Sequence, residues 1–127
     1  MDLNILSLAS ALASHASARQ RLIAENVANA DTPGFRARDI ADFSVVVDEG
    51  VGLAARVTRP GHVAFGTEAG GFEARAQAAL GAETPNGNSV SLEDQMMRAA
   101  AVRQKHELAI GVYAKSLEIL RTAVAKR

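Results

Sequence analysis

Glycine is concentrated in the middle of this chain, and that concentration limits what the chain can fold into. Eight of the ten glycines lie between Gly50 and Gly87, while residues 1–30 hold neither glycine nor proline. Gly and Pro are the strongest breakers of periodic structure. The sequence therefore divides into two helix-permitting ends around a helix-breaking middle. With 127 residues, there is room for one ordinary domain and not for two.

Residues 1–30 read as a single helix. Ile5, Leu8, Leu12, His15, Arg19, Leu22, Asn26 and Asn29 follow a three-four spacing. Beside them runs a second row: Leu6, Ala9, Ala13, Ala16, Gln20, Ile23, Val27 and Ala30. Together the rows form an apolar stripe wider than one seam, which turns polar toward its end. Asn26 and Asn29 fall at that change, where their amides either fix a helix register or face solvent. Asp31-Thr32-Pro33-Gly34 ends the helix, because the residue before Pro is pushed out of the α region.

Residues 91–127 read as a second long helix. Leu92, Met96, Ala99, Arg103, His106, Ile110, Tyr113, Leu117, Leu120 and Val124 alternate steps of four and three, the pattern of a coiled-coil seam. Ser91 fits an N-cap, with Glu93 and Asp94 at the positive dipole end and Arg121, Lys126 and Arg127 near the negative end. The two helices are expected to pair antiparallel. Leu8 and Leu12 would then lie near Leu117 and Leu120, with Leu22 near His106.

Between the helices, Asp42–Asp48, Arg56–Thr58 and His62–Phe65 are candidates for extended chain. Ala74–Leu80 suits a helical turn or two, and Thr84-Pro85-Asn86-Gly87-Asn88 is a turn cluster. The expected fold is mainly α: a coiled-coil-like antiparallel hairpin with a small β or irregular middle. Residues 1–34 plus 88–127 would form the helical part, and 35–87 a partly flexible insertion.

Composition bears on function mainly by exclusion. Fourteen basic residues balance fourteen acidic ones, which argues against a dedicated binder of nucleic acid. The absence of cysteine excludes disulfides and thiolate chemistry. No apolar run approaches the roughly 20 residues of a membrane span. The start lacks a basic region followed by an apolar core, so no cleaved secretory signal is expected. His15, His62 and His106 stand far apart without ligand spacing. No nucleophile elbow, phosphate loop or dinucleotide fingerprint occurs. Catalytic, cofactor and metal sites are all expected to be absent.

The energetics point outward. Aromatics are only 4% of residues, and alanine, which buries little, supplies much of the apolar count. Two helices leave part of the wide first stripe uncovered, so further burial has to come from other copies or another protein. A subunit of an assembly fits this best; a helical adaptor that binds a partner helix is the alternative.

Specific residues sharpen that reading. The run from Arg19 to Phe35, ending Asn26-Val27-Ala28-Asn29-Ala30-Asp31-Thr32-Pro33-Gly34-Phe35, resembles the N-terminal signature of flagellar rod, hook and hook-associated proteins. Thr58-Arg59-Pro60-Gly61-His62 resembles the middle of the family's proximal rod members, and Gly87-Asn88-Ser89-Val90 the lead-in to their last helix. The chain departs from the family pattern at Gln95, where Glu is common, at His106, where Tyr is common, and at Ala99-Ala100-Ala101, in a helix richer in Asn in the family. The resemblance implies a non-enzymatic structural subunit of the flagellar rod that helps transmit torque from motor to hook. It implies export through the flagellar apparatus without a cleaved signal, and a place in the periplasmic rod of the basal body. Implied partners are copies of itself, FlgC-like rod subunits, a FliE-like adaptor and the export gate. Asn26, Asn29, Asp31, Thr32, Pro33, Gly34 and Phe35 would form the assembly motif. Leu8, Leu12 and Leu22, with Leu92, Met96, Ile110, Tyr113, Leu117, Leu120 and Val124, would form the helix seam.

Overall fold

The computed structural model describes residues 3–48, 72–77 and 83–125. In chain order they form helix α1 (Leu3–Ala28), strand β1 (Arg38–Ile40), helix α2 (Phe43–Asp48), strand β2 (Ala74–Ala76) and helix α3 (Leu92–Ala125). The long helices pack directly against one another and run antiparallel. Asn26 near the end of α1 meets Gln95 at the start of α3. Ala16 and Ile23 pack with Val102 and Ala99. Ala9 and Ala13 lie beside Ala109 and Tyr113.

Alanine makes this contact possible. Ala9, Ala11, Ala16 and Ala109 are all buried, and small side chains let the two backbones approach closely. The buried line of α3 is Gln95, Val102, Ala109 and Ser116, a strict seven-residue repeat. It falls one position before Met96, Arg103, Ile110 and Leu117 of the row read from the sequence. Leu92, Met96, Ile110, Tyr113 and Val124 are exposed in the single chain, as is Leu8. Leu12, Leu22, Leu117 and Leu120 are half-buried.

The register also differs from the expected one. His106 shares a shallow cleft with Ala16, Ser17 and Gln20, instead of standing at the level of Leu22. Polar pairing explains this, since the Asn26–Gln95 bond fixes the helix ends where apolar matching alone allows several offsets.

Two short elements correct the reading of the middle. Phe43–Asp48 is helical, not extended. The β preference of Val45-Val46-Val47 needs a pleated partner to act, and no strand among the described residues pairs with it. Within Ala74–Leu80, the described residues Ala74–Ala76 form a strand instead of a helical turn. Their ladder with β1 is antiparallel, Arg38 opposite Ala76, Asp39 opposite Arg75 and Ile40 opposite Ala74. Ladder bonds outweigh the helix propensity of two alanines. The candidates Arg56–Thr58 and His62–Phe65 lie outside the described residues.

Helix ends follow local chemistry. The Asp94 amide donates to Ser91 Oγ at 3.4 Å, so Ser91 is a long N-cap. At the end of α1, both the backbone N and the side-chain Nδ2 of Asn29 donate to the Glu25 carbonyl. Gly34 and Gly87 hold φ of 72° and 81°, the left-handed region that costs other residues about 1–2 kcal/mol.

Glycine-to-alanine changes should therefore act in opposite directions. Gly87→Ala should destabilise by about 1–2 kcal/mol. Gly111→Ala, in the α3 interior with open space around it, should stabilise by about 0.5–1 kcal/mol. Urea unfolding followed by circular dichroism measures both, and equal signs would refute this account.

Candidate functional site

The sequence motifs converge in space at one end of the hairpin. The turn after α1 docks on the segment that leads into α3. Asn88 Nδ2 donates to the carbonyls of Asn29 and Thr32, both at 2.8 Å. Gly34 N donates to the Asn86 carbonyl at 2.9 Å, and Ser89 N to the Phe35 carbonyl at 3.0 Å. Ser89 Oγ accepts from Ala37 N at 2.9 Å. Asn88 is fully buried, and its Oδ1 accepts from Val90 N. The Asn29–Phe35 signature and the Gly87-Asn88-Ser89 signature are two halves of one joint.

Within the joint, Asn26 is 1% exposed. Its Nδ2 donates to the Arg38 carbonyl at 2.8 Å and to Gln95 Oε1 at 3.1 Å. Its Oδ1 accepts from Arg38 N at 3.1 Å. One amide thus binds β1 as a neighbouring strand would and reaches α3 as well. Gln95 Nε2 passes the chain on to Gln77 Oε1, and Gln77 Nε2 donates to Asp94. Asn29 holds the helix end, and its Oδ1 accepts from the Thr32 hydroxyl. Asp31, Thr32 and Pro33 are exposed, Gly34 supplies the left-handed turn, and Phe35 is half-buried.

An ionic cluster, not read from the sequence, flanks this amide chain. Arg19 grips Asp39 through Nε and Nη2, both at 2.8 Å, and reaches Asp42 through Nη1. Arg98 of α3 joins Asp39, and Lys105 joins Asp42. Burial works against the Asp39 carboxylate, yet the hydrogen bonds from Arg19 and the Ile40 amide, with the charges of Arg19 and Arg98, hold it below the ordinary 3.8. The bond to Asp39 raises Arg19 further. Asp42 is lowered chiefly by its bond to Lys105, against some desolvation. The fork geometry of a guanidinium on a carboxylate makes this the strong kind of ion pair. These partners stand 20 to 63 residues apart in the chain, so no local pattern reports them.

The arrangement is a clasp. Arg19 and Asn26 from α1, Asp39 and Asp42 from the middle, and Gln95, Arg98 and Lys105 from α3 lock three chain segments together. No group of three potential metal ligands occurs among the described residues. None of the helices described is long and apolar enough to cross a membrane.

Residues 5–36, which span α1 and the clasped turn, match the family described as "Flagella basal body rod protein". A "Flagellar basal body rod protein FlgB" from Agrobacterium fabrum is 31% identical over 112 residues, 84% of this chain and 81% of the relative. The chain belongs to the FlgB family of flagellar basal body rod proteins. A second FlgB, from Aeromonas hydrophila, is 34% identical over 114 residues, 86% of this chain and 78% of its own length. One from Yersinia enterocolitica is 40% identical over 57 residues, 39% and 41% of the two chains. The family is one of structural rod subunits, and the match to its pattern ends just past Phe35.

Two substitutions test the clasp. Asn26→Ala leaves the Arg38 amide and Gln95 Oε1 without their side-chain partner, and each orphaned buried group costs about 1–3 kcal/mol. Asp39 contributes stability that is present above 3.8 and lost as pH falls through its lower folded value. Asp39→Asn should thus be the less stable protein at neutral pH, and its deficit should shrink as pH falls below 3.8. Urea midpoints across an acid series measure this; a pH-independent deficit would contradict it.

Proposed function

We propose that this chain is a structural subunit of the proximal flagellar rod, assembling through its terminal helices and carrying torque from motor to hook. Family membership supports the rod assignment. The observation that carries the assembly reading is the uncovered apolar surface of α3. Leu92, Met96, Ile110, Tyr113 and Val124 stay exposed although α1 already covers the adjacent line, and Met97 and Leu108 are exposed as well. Soluble monomers seldom leave so many large apolar groups on one element unless a partner covers them. Other rod components, including copies of this chain and FlgC-like subunits, are the partners the family suggests. The finer proposals are a FliE-like adaptor and the export gate at the base, and a periplasmic position reached without a cleaved signal.

The seven motif residues, Asn26, Asn29 and the five from Asp31 to Phe35, have a defined part in this reading. The clasp sets the angle at which the middle segment leaves the hairpin, so every copy presents the same outer surface. Asp31, Thr32 and Pro33, exposed at the turn, are the members of the motif available to a neighbour. A stand-alone adaptor has no specific observation in its favour.

Ile110→Asp separates folding from assembly. Ile110 is 52% exposed, so the substitution should leave helix content and unfolding midpoint close to the parent. In a strain lacking the parent chain, the variant should be made and yet fail to enter isolated basal bodies. Pro33→Ala removes only a backbone restraint worth about 0.4–1 kcal/mol and should weaken incorporation at most. Normal incorporation of Ile110→Asp would remove this face of α3 from the assembly.

A further inference from the structure

Helix α1 carries one buried titratable side chain that the clasp does not use. His15 is 1% exposed. Its Nε2 lies 2.7 Å from the Ala41 carbonyl oxygen. A carbonyl only accepts, so Nε2 carries the proton and donates it there. Phe72 meets the ring edge-on with centroids 4.9 Å apart, and Phe43 meets it tilted at 5.5 Å. Ala41 follows β1, Phe43 opens α2, and Phe72 precedes β2. Three separate parts of the middle segment therefore converge on one imidazole.

The cations around the ring oppose a second proton, and Asp42 alone among the charges of the described residues favours it. Arg19 faces it from α1, Lys105 from α3 and Asp42 from the lead-in to α2. Asp42 is already shared between Arg19 and Lys105, and Asp39 of β1 is paired with Arg19 and Arg98. Desolvation lowers the imidazole below its ordinary 6.5 and Arg19 and Lys105 add to the depression, against the Ala41 carbonyl and the Asp42 charge.

We propose that His15 is an acid-sensitive latch: neutral, it holds Ala41, α2 and Phe72 against α1, and protonated, it lets them go. The doubly protonated ring would be a desolvated cation beside two others, and it gains hydration only by leaving its socket. The latch stabilises the joint fully above 6.5, and that stabilisation is lost as pH falls through the lower folded value. The polar bond of Asn26 to Gln95 and the Ala16–Ile23–Val102 core contain no group that titrates there. Acid thus loosens Ala41, α2 and Phe72 from α1, while Asn26 and Arg19 still hold β1 and α1 stays on α3. This inference is independent of rod assembly.

Hydrogen exchange of the full chain at about pH 7.5 and about pH 5, corrected for intrinsic rates, tests the latch. The parent should exchange severalfold faster at the acid pH in residues 41–48 and 72–73, with protection of 38–40 and α3 unchanged. His15→Gln keeps a neutral amide donor for Ala41 and should show no such acid response. His106→Gln, altered in the half-exposed cleft, should respond like the parent. An equal acid response in the parent and His15→Gln would overturn the proposal. If His15→Gln does not fold, the His15 ring is titrated by NMR in the parent. A midpoint below 6.5, with exchange in 41–48 rising between 6.5 and that midpoint, supports the latch, and a midpoint at 6.5 or a rise outside that interval overturns it.

Discussion

The side-chain amide of Asn26 is the interaction on which the rest of the structure depends. It sits where α1 stops being apolar, and it completes both backbone bonds of Arg38 while also meeting Gln95. Without it, β1 loses both backbone bonds of Arg38 to α1, and the two helices lose a polar contact that selects their offset. Small apolar side chains cannot do this work. Alanine against alanine packs almost equally well at several offsets, whereas a buried amide is satisfied at only one.

The interior illustrates the same principle. Its largest fully buried side chains are His15, Gln95, Asn26 and Asn88, all polar. No buried side-chain nitrogen or oxygen among the described residues lacks a partner. A core of this kind gains little from burial and much in uniqueness. For a rod subunit that balance is suitable, because each copy has to present the same surface, and on the proposed assembly its neighbours would supply the missing apolar burial. The exposed residues of α3 are the counterpart of that thin core.

The ionic cluster extends the amide clasp sideways. Arg19 reaches two carboxylates of the middle segment, and each carboxylate is then met by a cation of α3. Opening the joint therefore exposes charges that lose several partners together. His15 lies within the same neighbourhood, which gives the hairpin and the middle segment one shared, charge-dependent boundary.

The sequence by itself determined the two long helices, their antiparallel pairing and the turn chemistry at Pro33-Gly34 and Asn86-Gly87. The helices and turns follow from local periodicity and from breakers, which are written in neighbouring residues. The resemblance carried by Asn26 to Phe35 likewise needed no coordinates. Only the tertiary structure decided the register, because the buried line of α3 includes Gln95 and Ser116, and a count of apolar residues passes over polar ones chosen for their bonds. The same limit hid the meeting of Asn29 and Thr32 with Asn88, and of Arg19 with Asp39. It also misassigned Val45-Val46-Val47 and Ala74–Ala76, whose intrinsic preferences gave way to anchoring by Phe43 on His15 and to the ladder with β1. Long-range hydrogen bonds have no period along the chain, so they become legible only once the chain has brought their partners together.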